Sequence, residues 1–183
     1  MRKLTAALTT TTVYAVSATL VLCTMIAETI FLYPNYFHDI PASLEVADEF
    51  TAVVSVGGVM RPLGMFVTLS AVLAVAVSLW TRRARGWLLA SIVPYISGMF
   101  LLSMLYLWPR WPILFDDRAL YTVDELHSTV QEIWVAHAVR VACGLFTAIL
   151  AVIAALRIYR DRILLQVEQA NSVDYSSSPS VSR

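Results

Sequence analysis

Residues 122–162, TVDELHSTVQEIWVAHAVRVACGLFTAILAVIAALRIYRDR, decide the fold. They read as one long helix that starts polar and acidic, carries His137 and Arg140 into an otherwise apolar run, and ends on Arg157, Arg160 and Arg162. Residues 133–156 are long enough to cross a bilayer, which takes about 20 mostly apolar residues. A charge that deep in an apolar helix needs a partner.

Working outward, three more stretches have the same character. Residues 4–27 hold no charge, and the apolar run resumes after Glu28 as far as Phe37; residues 62–81 and 86–109 are likewise uncharged. Four spans are predicted near 11–33, 62–80, 87–108 and 134–156. The composition agrees: 183 residues are 58% hydrophobic and 14% charged, with a formal net charge of zero. Few soluble domains are so apolar, and no basic excess points to nucleic acid. The basic residues are 12 Arg and one Lys, a bias that fits a GC-rich bacterial genome. Cys23 and Cys143 both fall in apolar runs and read as packing residues, not as a disulfide or metal pair. The run after Met1-Arg2-Lys3 is longer than the core of a signal peptide, so the first span is expected to be retained.

Basic residues set the orientation. Arg2 and Lys3 precede the first span, Arg82, Arg83 and Arg85 separate the second and third, and the last cluster follows the fourth. The other two connections hold nine of the 13 acids, namely Asp39, Glu45, Asp48, Glu49, Asp116, Asp117, Asp124, Glu125 and Glu132. Both termini are therefore expected in the cytoplasm, with the two longer loops outside. Tyr33, Tyr36, Trp108, Trp111 and Trp134 form one aromatic girdle and Trp80, Trp87 and Tyr159 the other.

Within the outer loops, Pro34 and Pro41 are expected to break the first helix at the membrane surface. Residues 42–54 read as a short amphipathic helix, with Leu44, Ala47 and Phe50 on one side and Glu45, Asp48 and Glu49 on the other. Gly57-Gly58 and Arg61-Pro62 mark the joint with the second span. In the third span Pro94 predicts a kink, with Ser91 and Tyr95 as candidate partners for the freed carbonyl. Pro109-Arg110-Trp111-Pro112 reads as a stiff corner, and Thr122 with Glu125 as a capping box that starts the last helix before the membrane.

Glu28 is the one acid inside a span and Arg140 the one base deep inside a span. Counted from the helix ends, both lie roughly 7–9 Å below the outer boundary. Pairing offsets the cost of burying each alone, so Glu28 and Arg140 are predicted to join the first helix to the fourth. His137 shares a face with Arg140 at i,i+3 spacing. His38 and His127 lie on the same outer side. The binding candidates are Glu28, His137, Arg140, His38 and His127. No resident metal or cofactor is expected; the alternative is a metal held by Glu28, His38, His127 and His137. No HxxxH, HxH, CxxC, GxSxG or glycine-rich phosphate loop occurs.

Trp134-x-x-His137-x-x-Arg140, the small-residue run 141–156 with its basic end, and Tyr33-Pro34-Asn35 after the first helix together resemble the anthrone oxygenase-like family of small four-helix membrane proteins. The resemblance covers about a third of the chain and centres on the last helix. His137 stands where that family carries an asparagine, and the acidic outer loops are longer. The resemblance implies cofactor-independent oxidation of an apolar aromatic molecule in a pocket among the helices, with His137 and Arg140 on the substrate oxygen.

The expectation is an all-α integral membrane four-helix bundle of antiparallel up-down topology, with a short amphipathic helix in the first outer loop. The transmembrane domain spans 1–168 and residues 169–183 form a disordered cytoplasmic tail. The protein is placed in a bacterial plasma membrane. Its partners are the lipid bilayer, a small apolar ligand, and a membrane-protein partner or a second copy. The alternative function is a non-enzymatic accessory or assembly subunit that docks through the loops and the small-residue face at Gly144 and Ala148.

Overall fold

A computed structural model describes residues 2–177, and every regular element among them is helical. Four helices are long and apolar enough to cross a membrane: α1 (Arg2–Tyr36), α3 (Val56–Thr81), α4 (Arg85–Phe115) and α5 (Val123–Ser177). The short α2 (Ala42–Thr51) lies in the first long connection. α1 packs against α3 and α5, and α4 closes the ring by packing against both of them. The result is an up-down bundle. Large apolar side chains such as Phe31, Leu73, Phe146 and Leu156 point outward, as suits a lipid environment. The interior is filled with small residues, among them Ala18, Ala71, Ala74, Ala151 and Ala154, around Tyr14, Leu22 and Leu88.

Small residues let helices approach closely where no aqueous hydrophobic effect drives them together. Gly144 is buried, and a Cβ there would come within 2.5 Å of the Met25 methyl group; a Cβ on Gly98 would overlap the Cys143 side chain. Ala148 belongs to the same core. The face at Gly144 and Ala148, expected to receive a partner, is therefore spent inside the bundle. Hydroxyl pairs cross between helices too, from Tyr14 to Ser91 at 3.2 Å and from Ser17 to Ser70 at 3.0 Å. Cys143 packs in the interior, whereas Cys23 faces outward, and neither forms a disulfide.

Several boundaries differ from expectation for identifiable reasons. Pro34 does not end α1. The helix widens over Glu28–Leu32, where the Tyr33 N–H donates to the Glu28 carbonyl, and then completes one more turn to Tyr36. α4 behaves alike: after Pro94 it widens over Tyr95–Leu101 and Ser103–Leu107, tightens at Trp108–Arg110 and runs on to Phe115. The stiff corner at 109–112 is thus part of a helix. The Tyr95 hydroxyl crosses to α3, meeting Thr68 at 2.6 Å and the Gly64 carbonyl at 3.3 Å, and Ser91 donates to the Leu88 carbonyl at 2.8 Å. Neither serves the carbonyl that Pro94 frees. α3 begins at Val56, six residues before the predicted span, because the Ser55 side chain accepts from the Gly58 N–H and caps it. In α2 Leu44 and Ala47 are buried but Phe50 is 74% exposed.

The capping box is present. The Thr122 N–H donates to a Glu125 carboxylate oxygen at 2.7 Å, and the Glu125 N–H donates back to the Thr122 hydroxyl at 3.3 Å. α5 continues to Ser177, so the first part of the expected tail lies on that helix; residues 178–183 lie outside the described residues.

Candidate functional site

Glu28 and Arg140 meet. The Arg140 guanidinium donates through one terminal nitrogen to a Glu28 carboxylate oxygen at 2.5 Å, and the two side chains are only 6% and 14% exposed. The pair ties α1 to α5, as their matching depth predicts. The same arginine nitrogen lies 2.9 Å from His137 Nδ1, and His137 is buried 3.8 Å from the Glu28 carboxylate.

The surroundings of His137 fix its tautomer. Nε2 lies 3.2 Å from the Met25 carbonyl, which can only accept, and 2.9 Å from the Thr29 hydroxyl, which itself donates to that carbonyl. Nδ1 faces the Arg140 guanidinium, which can only donate, and the Tyr33 hydroxyl at 3.2 Å. The proton therefore sits on Nε2 and the lone pair on Nδ1. In this form the imidazole is neutral and every polar atom of the ring is satisfied.

The widened turn in α1 is what gathers these groups. In a regular α-helix, residues five apart point about 140° away from each other. Opening the turn over Glu28–Leu32 swings Tyr33 back toward Glu28, so both reach His137. Such bulges recur at functional positions. Tyr33 then forms a lid over the network. Its ring lies 4.5 Å from His137 and 5.2 Å from both Trp134 and Phe37, with Trp111 at 6.2 Å. This aromatic layer belongs to a second core cluster with Leu107, Leu114 and Ile133.

On the other side of the ion pair the bundle is hollow. A cavity of about 280 Å³ is bounded by α1, α3, α4 and α5, and Arg140 is part of its wall. Met25, Met60, Met65 and Met99 supply a flexible apolar lining, with Phe100 and Trp108 beside them. The polar groups on the wall are few: Arg61, Thr68, Tyr95, Ser103 and Arg140. All the hydrogen bonds of Arg140 with described residues use one terminal nitrogen, and its Nε is buried without a partner. A neighbouring cleft of about 300 Å³ beneath α2 is lined by Glu28, Tyr36 and Phe50 and also reaches Met60. The ion pair stands between the two hollows.

Not every predicted residue joins the site. His38 and His127 are exposed, and His38 is held by the Asn35 carbonyl 2.9 Å from its Nδ1. Among the described residues no group of three or more His, Cys, Asp or Glu comes close enough to hold a metal ion. The four-residue metal set is therefore corrected to the pair Glu28 and His137, which α1 and α5 bring together while the other two histidines stay on the surface. The sequence does not place Met25, Thr29 and Tyr33 around the imidazole, or Arg61, Thr68 and the methionines around a cavity. A partial signal was available: Met25, Thr29 and Tyr33 recur at i,i+4 on the side of α1 adjacent to Glu28.

Fold and site together define a multi-pass membrane helix bundle with a charged, hydrogen-bonded network beside an apolar cavity. No family model, curated protein or solved structure matches the chain.

Proposed function

We propose that this chain is a multi-pass protein of a bacterial plasma membrane, with both termini cytoplasmic, that binds a small molecule of mainly apolar character in the cavity beside Arg140. The distribution of basic residues supports the orientation, and the arginine-rich composition supports the bacterial source. One observation carries the binding reading. Arg140, already paired with Glu28 through one terminal nitrogen, also walls a Met-rich cavity that no carboxylate lines. Ligand pockets typically combine an apolar lining with a few placed polar groups, and about 300 Å³ is the lower end of their size range. The ligand is accordingly small.

The likeness to the anthrone oxygenase-like family extends this reading to oxidation of an aromatic molecule at the same place. Against His137 acting on such a substrate, the imidazole is 1% exposed, does not line the cavity and has both nitrogens engaged. Its role in our reading is to position Arg140. No resident metal or cofactor enters the reading. The accessory-subunit alternative is left with the loops as its docking surface, because the Gly144–Ala148 face is buried.

Gly64 gives a clean test. It lines the cavity, and a Cβ there meets nothing within 4 Å, so a larger side chain starts out into free space. Mass spectrometry of organic extracts should find a small molecule near one per chain in protein purified in lipid nanodiscs. Gly64→Phe should lose it while keeping the wild-type helical circular dichroism spectrum. Equal retention by the filled variant rejects the cavity as the binding site.

A further inference from the structure

The charge on the cavity wall is one-sided. Two arginines line it, and no Asp or Glu does. Arg140 is neutralised from behind by Glu28. Arg61 is not: among the described residues no carboxylate lies within 4.0 Å of it, and its guanidinium instead rests over the Trp108 ring at 5.5 Å. Arg61 is exposed and Trp108 is partly so, which places them at the mouth, while Thr68 and Tyr95 mark the far end. Along α3 the cavity covers residues 60–69, roughly 13 Å at the rise of a helix.

We infer that the occupant is a single-chain anionic amphiphile, whose carboxylate or monophosphate head is held between the guanidinium groups of Arg61 and Arg140 and whose apolar body lies among Met25, Met65 and Met99. This rests on the binding reading above and adds the ligand class. An uncharged ligand would leave Arg61 without an ionic partner at the cavity mouth. A cationic one would meet two positive charges. Guanidinium groups suit an oxyanion because their N–H donors lie in one plane and grip two oxygens at once. Methionine side chains adapt to either an acyl chain or a flat ring, so the lining sets the polarity of the body and not its shape.

The test uses the intact chain in uncharged phosphatidylcholine nanodiscs and reads quenching of tryptophan fluorescence by 10-bromodecanoate, by its methyl ester and by the matching bromodecyl trimethylammonium ion. A Trp108→Phe variant identifies the part of the signal that comes from the cavity. The expected result is saturable, Trp108-dependent quenching by the carboxylate, about tenfold or more stronger than by the ester or the cation. Arg61→Gln should remove that preference and Arg61→Lys restore most of it; Arg61 sits at the exposed mouth, so these variants fold independently of the buried pair. Equal quenching by ester and carboxylate, unchanged in Arg61→Gln, overturns the anionic ligand and leaves the cavity as a binding site. Loss of Trp108-dependent quenching for all three probes overturns both readings. Displacement of the probe by phosphatidylglycerol nanodiscs assigns the cavity to a two-chain membrane lipid and overturns the single-chain ligand.

Discussion

Arg140→Met separates a structural ion pair from an incidental one. The variant keeps the length and apolar stem of the side chain but removes the donor for Glu28, whose side chain is 6% exposed, and the donor that faces His137 Nδ1. Removing one partner of a buried pair leaves an uncompensated charge and typically costs about 3–5 kcal/mol. Glu28→Leu should cost less, about 2 kcal/mol, because Arg140 is the more accessible partner, lines a cavity and can reorient its long stem. The double variant Glu28→Leu with Arg140→Met replaces the whole pair by apolar atoms and should fall within about 1 kcal/mol of wild type, since such replacements are often neutral. The cycle thus predicts a coupling of about 4 kcal/mol or more, above the usual range of about 0.5–3 kcal/mol. Reversible unfolding in mixed detergent micelles, followed by circular dichroism, measures all four proteins. Arg140→Met within about 0.5 kcal/mol of wild type, or additive costs in the double variant, would refute the claim that the pair bears on stability.

Two further outcomes follow from the same geometry. Nitrogen NMR of ring-labelled protein should find His137 protonated on Nε2 and bare on Nδ1; a proton on Nδ1 contradicts the Arg140 and Met25 contacts. His137→Asn, the residue of the resembled family, should cost about 1–3 kcal/mol in the same unfolding measurement, because an amide cannot fill both sets of contacts made by the ring. Gly98→Ala and Gly64→Ala place the same methyl group in opposite settings. The first should cost about 1–3 kcal/mol by overpacking against Cys143, and the second should stay within about 1 kcal/mol of wild type, as read from paired melting curves.

The spans were legible because a bilayer imposes a length and a composition that soluble folding does not, and the Glu28–Arg140 pair because each charge was alone in its class at matching depth. What escaped depended on backbone geometry. Pro34 and Pro94 were read as breaks or kinks, but each helix absorbs its proline by widening nearby turns, so α1 and α4 run on past their predicted limits. That widening also changes which side chains share a face, and regular helical spacing therefore did not place Tyr33 beside Glu28. The cavity was illegible for a different reason. It is the space left between four helices, and its lining comes from residues that each read as ordinary span or loop. The histidines taught a related point: shared sidedness put His38 and His127 on the correct end of the molecule but said nothing about distance.

The imbalance around Arg140 is the step that links architecture to function. A purely structural arginine at this depth is expected to have its donors satisfied, because an unpaired buried N–H loses its hydration without compensation. Around His137 that rule is obeyed: Met25, Thr29, Tyr33 and Arg140 account for both ring nitrogens. One turn along the same helix it is broken, and it is broken on a residue that forms part of the cavity wall. The fold therefore meets the cost of holding a guanidinium in place through Glu28 and His137 and then leaves one of its donors unused. An arrangement that secures the charge on one side and sets the same guanidinium into the wall of a hollow fits the proposed receptor for an oxygen-bearing ligand better than it fits a rivet between two helices.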